Sequence, residues 1–162
     1  MKKTLLASFF FVSLIGCKKK QDKSISIWTI NGTEYKSNNC TIVIGNGESI
    51  ITGNDPKSRW DLIFYTPLPH EGEWPIRSFR PDGNNPYFVY LAFYKDTRLY
   101  AVSLNNSNLL HAHDVNGKAS FNLEPTWFIR MVNNDPGNLL PADSSLSYTS
   151  DSVLISGTFN QP

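Results

Sequence analysis

Three Asn-Gly steps, Asn31-Gly32, Asn46-Gly47 and Asn116-Gly117, each stand between short runs of β-branched and aromatic residues. Asn and Gly tolerate the two consecutive positive φ angles of a type I′ turn, whose twist folds one strand back antiparallel onto the last. A chain punctuated in this way is committed to hairpins. On either side of the first two turns, residues 26 to 30, 33 to 36, 41 to 44 and 49 to 52 read as strands. Residues 59 to 65 alternate, with Trp60, Leu62 and Phe64 on one face and Asp61, Ile63 and Tyr65 on the other. A short strand over 76 to 79 follows Pro75.

Residues 87 to 94, Tyr-Phe-Val-Tyr-Leu-Ala-Phe-Tyr, are apolar on both faces, which suits a central strand covered on both sides. Lys95-Asp96-Thr97 turns the chain into a strand over 98 to 103, and Asn116-Gly117 joins strands over 109 to 114 and 118 to 123. Further strands over 126 to 132 and 153 to 159 flank a loop rich in Pro, Asn, Asp and Ser from 133 to 151. No window keeps apolar residues three and four apart for ten positions, so no helix is expected. About ten short strands argue for a single all-β domain, an antiparallel β-sandwich or partly open barrel, over residues 24 to 162. Trp60, Phe64 and Trp127 alternate within strands and are expected in its core.

The first 16 residues have a different character. Lys2 and Lys3 precede an apolar run from Leu5 to Ile15 interrupted only by Ser8 and Ser13, and Gly16 closes it, which is the order of a cleaved secretory signal. The run is shorter than the roughly 20 residues that a membrane-spanning helix needs. Leu14-Ile15-Gly16-Cys17 resembles the bacterial lipobox, which implies that Cys17 is acylated and becomes the first residue of the mature chain. Residues 17 to 23, with Lys18, Lys19, Lys20 and Lys23, then form a polar basic tether at the lipid headgroups. Acyl chains at about 0.8 kcal/mol per buried methylene hold a protein on a membrane without a spanning segment.

The near-neutral net charge of the whole chain, +1, hides an asymmetry. From Ser24 onward nine Lys and Arg face thirteen Asp and Glu, leaving about −4, and no basic run suggests nucleic-acid binding. With Cys17 lipidated, Cys40 has no cysteine partner and reads as a buried structural thiol at the start of a strand.

Trp28-Thr29-Ile30-Asn31-Gly32-Thr33-Glu34-Tyr35, Gly72-Glu73-Trp74-Pro75-Ile76 and Ile155-Ser156-Gly157-Thr158-Phe159 together resemble a group of small exported lipoproteins of Bacteroidota with β-sandwich domains. The resemblance implies a fold class and an envelope location, outer membrane in the first instance, and carries over no catalytic residue. Asp151-Ser152-Val153 also resembles the short O-glycosylation signal of such bacteria, with Ser152 as acceptor.

Chemistry-bearing patterns are sparse. His111 and His113 are two apart on a strand, so both imidazoles share one face and can reach one metal ion, with His70, Glu71 or Glu73 as a third ligand if the fold brings that loop near. A metal-dependent hydrolase built on them is one alternative, although no metal or other cofactor is assigned. Glu71 and Glu73 flank Gly72 in a Pro-rich connection and read as solvated rather than as a glycosidase pair. The chain has no Gly-x-Ser-x-Gly, His-Glu-x-x-His, phosphate-binding or dinucleotide-binding loop. Aromatic residues make up 13% of it, and Trp74, in a connection with Tyr87 after the next one, is the expected ligand-binding platform. The reading is a non-enzymatic binding or scaffolding domain held to a membrane through Cys17, with a glycan or an envelope protein as partner.

Overall fold

The computed structural model describes residues 24–45, 47–77, 87–102, 107–133 and 146–162. The signal region, Cys17 and the tether lie outside these residues. The described chain is all-β, with eleven strands in one continuous, strongly wrapped sheet compatible with a β-sandwich or partly open barrel. In chain order they are β1 (Ser26–Ile30), β2 (Thr33–Ser37), β3 (Cys40–Gly45), β4 (Glu48–Asp55), β5 (Ser58–Phe64), β6 (Gly72–Arg77), β7 (Val89–Lys95), β8 (Arg98–Val102), β9 (Leu109–Val115), β10 (Lys118–Asn133) and β11 (Leu146–Asn160).

Local turn chemistry accounts for the hairpins. Asn31 and Gly32 adopt φ of 50° and 78°, and Asn116 and Gly117 adopt 57° and 80°, so both steps close two-residue turns between paired strands. Asp96 and Thr97 do the same between β7 and β8, at 48° and 67°, although neither is glycine. Pairing is antiparallel throughout except where Ile76 and Arg77 of β6 run parallel to Val89 and Tyr90 of β7.

The sheet follows the path β2-β1-β11-β10-β9-β6-β7-β5-β4-β3, with β8 joining β7 to β10. β10 is 16 residues long, so its first half pairs with β9 and its second half with β8. In this way it passes from one layer to the other, and β6 makes a second bridge by pairing with β9 and then with β7. The two ends of the path, β2 and β3, are not paired with each other, and Ser26 Oγ of β1 lies 3.3 Å from Cys40 Sγ at the start of β3. Cys40 is a free, partly buried thiol packed on the edge of the core.

Inward side chains of the two layers meet in a chain of aromatic rings. Trp28 stacks on Tyr35 and meets Trp60 edge-on, Trp60 packs on Phe159, and Phe159 on Phe93. Trp28 Nε1 donates to Ser58 Oγ at 3.1 Å, satisfying the one polar atom that such a residue brings into the interior. Each fully buried ring of this kind contributes roughly 2 to 3 kcal/mol by removal from water.

Trp127 corrects the sequence reading: it is 60% exposed, whereas Trp60 and Phe64 are buried as expected. The cause is a register shift in β10 between Leu123 and Thr126. Before it Phe121 and Leu123 point inward; after it Thr126 and Phe128 do. Glu124 and Pro125 take up the extra length, the inward parity changes from odd to even, and Trp127 turns to solvent. The runs over 118 to 123 and 126 to 132 are thus one strand, not two. β11 likewise begins at Leu146, inside the stretch read as loop.

Candidate functional site

The elements that place Trp74 are β6 and β9. Trp74 lies opposite Leu110, which is fully buried, so the indole points to the inner side of the sheet. It meets the ring of Phe64 edge-on at 5.4 Å between centroids and leaves its outer part accessible. Its Nε1 donates to the Glu71 carbonyl at 3.4 Å. Gly72, at φ +102°, shapes the bend that makes this contact.

Tyr87 comes from the start of the segment leading into β7, and its ring lies 6.4 Å from that of Trp74 at an interplanar angle of 40°. It is 69% exposed. The two residues singled out as a binding platform therefore stand side by side, brought together because β6 and β7 run parallel at this end. The arrangement offers two adjoining aromatic rings, one held firmly by Phe64 and one open to solvent, and such rings can stack on the apolar face of a sugar.

The histidines are placed differently. Glu73 pairs with His111 across β6 and β9, with Glu73 Oε1 3.6 Å from His111 Nδ1. His113 is exposed on the same face two residues on. His70 binds elsewhere, its Nδ1 2.9 Å from Asp114 Oδ2. Asp114 also accepts from the Gly117 amide at 2.8 Å, and that bond, with the His70 contact, holds its carboxyl below the usual carboxylate range. Among the described residues, no three His, Cys, Asp or Glu side chains come together as a set that could hold a metal ion. The segment of residues 70 to 73 does approach β9, but it gives one carboxylate to His111 and one imidazole to Asp114. Glu73 itself is part of β6 rather than of a loop.

A second polar cluster, not anticipated as such, lies on the outer face of β4, β5 and β7. Arg59 donates from Nε and Nη2 to the two carboxylate oxygens of Asp61 at 2.9 Å, and Thr52 Oγ1 donates to Asp61 at 2.8 Å. The guanidinium lies 5.4 Å from the ring centre of Tyr94. Burial pushes the phenols of Tyr94 and, more strongly, Tyr90 upward, with the Asp61 charge adding to both. The alternation of residues 59 to 65 was the signal for this face: Arg59 stands opposite Tyr94, and Asp61 opposite Ala92. Both carboxylate oxygens of Asp61 are answered within the cluster, which makes the Arg59–Asp61 pair a structural clasp on the half-exposed guanidinium. Ser152 stands exposed in β11, opposite Ile129.

No protein-family model, no curated protein and no solved structure matches the chain.

Proposed function

We propose that the chain is a lipid-anchored cell-envelope protein whose β domain is a non-enzymatic binding module, taking a glycan on the Trp74–Tyr87 surface. The observation that carries the binding reading is the pair of adjoining rings, Tyr87 largely exposed and Trp74 braced by Phe64. A braced ring loses little freedom when a ligand stacks on it, so more of the contact energy appears as affinity. Beside the pair, the Glu71 carbonyl accepts from Trp74 Nε1 and holds the indole in place. Support for the anchor comes from the sequence alone, Leu14-Ile15-Gly16-Cys17 after a charged and then apolar start.

Thermal melting against a panel of glycans tests the binding reading. A sugar at 100 times its Kd adds about 2.7 kcal/mol of stability. The expected result is a melting shift with one sugar class that Tyr87→Ala removes while leaving the unliganded melting temperature in place. A flat panel, or a shift that survives both Tyr87→Ala and Trp74→Phe, refutes it. For the anchor, Cys17→Ser is expected to move the protein out of the salt-washed membrane fraction, and retention there refutes lipidation.

A further inference from the structure

The two ends of the sheet are built unlike each other. β2 carries Glu34 and Lys36, paired at 2.9 Å and both more than half exposed, which is the charged edge that discourages pairing with another chain. β3 has no charged residue and no proline: it reads Cys40-Thr41-Ile42-Val43-Ile44-Gly45, and Val43 and Ile44 are 63% and 67% exposed. Among the described residues its strand partner is β4 alone.

The register defines what that edge presents. β3 and β4 close with Gly45 opposite Glu48, so Gly45, Val43 and Thr41 turn their amides and carbonyls to β4 in the alternation of an antiparallel ladder. Ile44, Ile42 and Cys40 turn theirs outward. Three residues in alternation, with uncharged side chains, form a template that only another extended strand satisfies.

We propose that β3 is an association edge that pairs antiparallel with β3 of a second copy of the chain. The strand is its own complement. A two-fold axis at Ile42 sets Ile42 against Ile42 of the second copy and Cys40 against Ile44 of the second copy, and this register alone uses all three outward residues on both strands. Axes at Thr41 or Val43 engage only two in direct exchange within β3. Because the strand is uncharged, reversing it against itself sets no like charges opposite one another. The contact is isologous, so it closes at two copies and consumes the open edge, while the charged β2 edge keeps the assembly from growing.

The register supplies its own test. In a hydrogen-bonded antiparallel pair the Cα atoms are about 5.5 Å apart, within disulfide reach. Within one chain, residues 40 and 44 are about 13 Å apart along the strand, too far to bridge. In the full chain carrying Cys17→Ser, which leaves Cys40 as the only native thiol, Ile44→Cys is expected to give a covalent dimer on mild oxidation. Adding Cys40→Ser is expected to abolish it. Sedimentation of the Cys17→Ser chain at tens of micromolar is expected to show a dimer that Val43→Lys converts to monomer with an unchanged melting curve at low concentration. A monomer in sedimentation, or crosslinking that is indifferent to Cys40→Ser, overturns the proposal.

Discussion

Trp60 lies directly over Gly53, its cross-strand partner in β4. A methyl group on Gly53 would meet the indole at 2.3 to 2.5 Å, closer than any real contact. The glycine is an ordinary strand residue in every other respect, and its missing side chain is what lets one of the two fully buried indoles lie against the sheet. Gly53→Ala is therefore expected to lower stability by about 1 to 3 kcal/mol through overpacking. Urea unfolding of the pair measures it, and an unchanged midpoint would show that Trp60 has room to move.

Thr97 occupies the left-handed region at φ 67°, where a β-branched side chain crowds its own backbone. Relief of that strain is expected to make Thr97→Gly more stable than the parent by about 1 kcal/mol, against the usual direction for glycine substitutions. Calorimetry should register a higher melting temperature. A lower one would mean that the threonine contributes more than its backbone costs.

The two tryptophans of β1 and β10 give opposite expectations. Trp28 is fully buried and hydrogen-bonded to Ser58, so Trp28→Ala is expected to cost about 3 to 5 kcal/mol. Trp127, turned outward by the register shift after Leu123, is expected to cost about 0.5 kcal/mol or less as Trp127→Ala. Equal losses in chemical denaturation would place the change of parity elsewhere in β10.

Tyr90 sets an alkaline limit. Tyrosine in an unfolded chain ionises near pH 10, whereas burial, reinforced by the charges of Tyr94 and Asp61, holds Tyr90 protonated well above that. A group whose pKa is raised on folding stabilises fully below its unfolded pKa and loses that contribution as pH climbs toward the folded value. Stability is thus expected to be insensitive to Tyr90 near neutrality and to fall from about pH 10 upward. Tyr90→Phe should flatten this decline, and an identical alkaline decline in the variant would assign it to other groups.

Much of this molecule is legible in its local chemistry. Asn31-Gly32 and Asn116-Gly117 dictate their turns because the positive φ they need is a property of two adjacent residues. The alternation of residues 59 to 65 determines which side of β5 is core, since successive side chains on a strand have no choice but to oppose one another. The doubly apolar run before Lys95 marks a central strand, and β7 does lie between β5 and β8 with its inner face in the core. Trp74 and Tyr87 stand out in sequence as aromatics next to the connections, although Trp74 belongs to strand β6 and packs against the core rather than lying in a connection.

What the sequence by itself determined was therefore the all-β class, the hairpins and the faces of unbroken strands, each settled by interactions within a few residues. Only the tertiary structure decided that Glu124 and Pro125 reverse the parity of β10, because a register shift is set by the partner strand as much as by the shifted one. The same holds for the meeting of Trp74 with Tyr87, which depends on β6 and β7 running side by side, and for the contrast between β2 and β3 as edges. Strand order joins residues far apart in the chain, and it follows from which apolar faces can cover one another, a property that no short stretch of sequence carries.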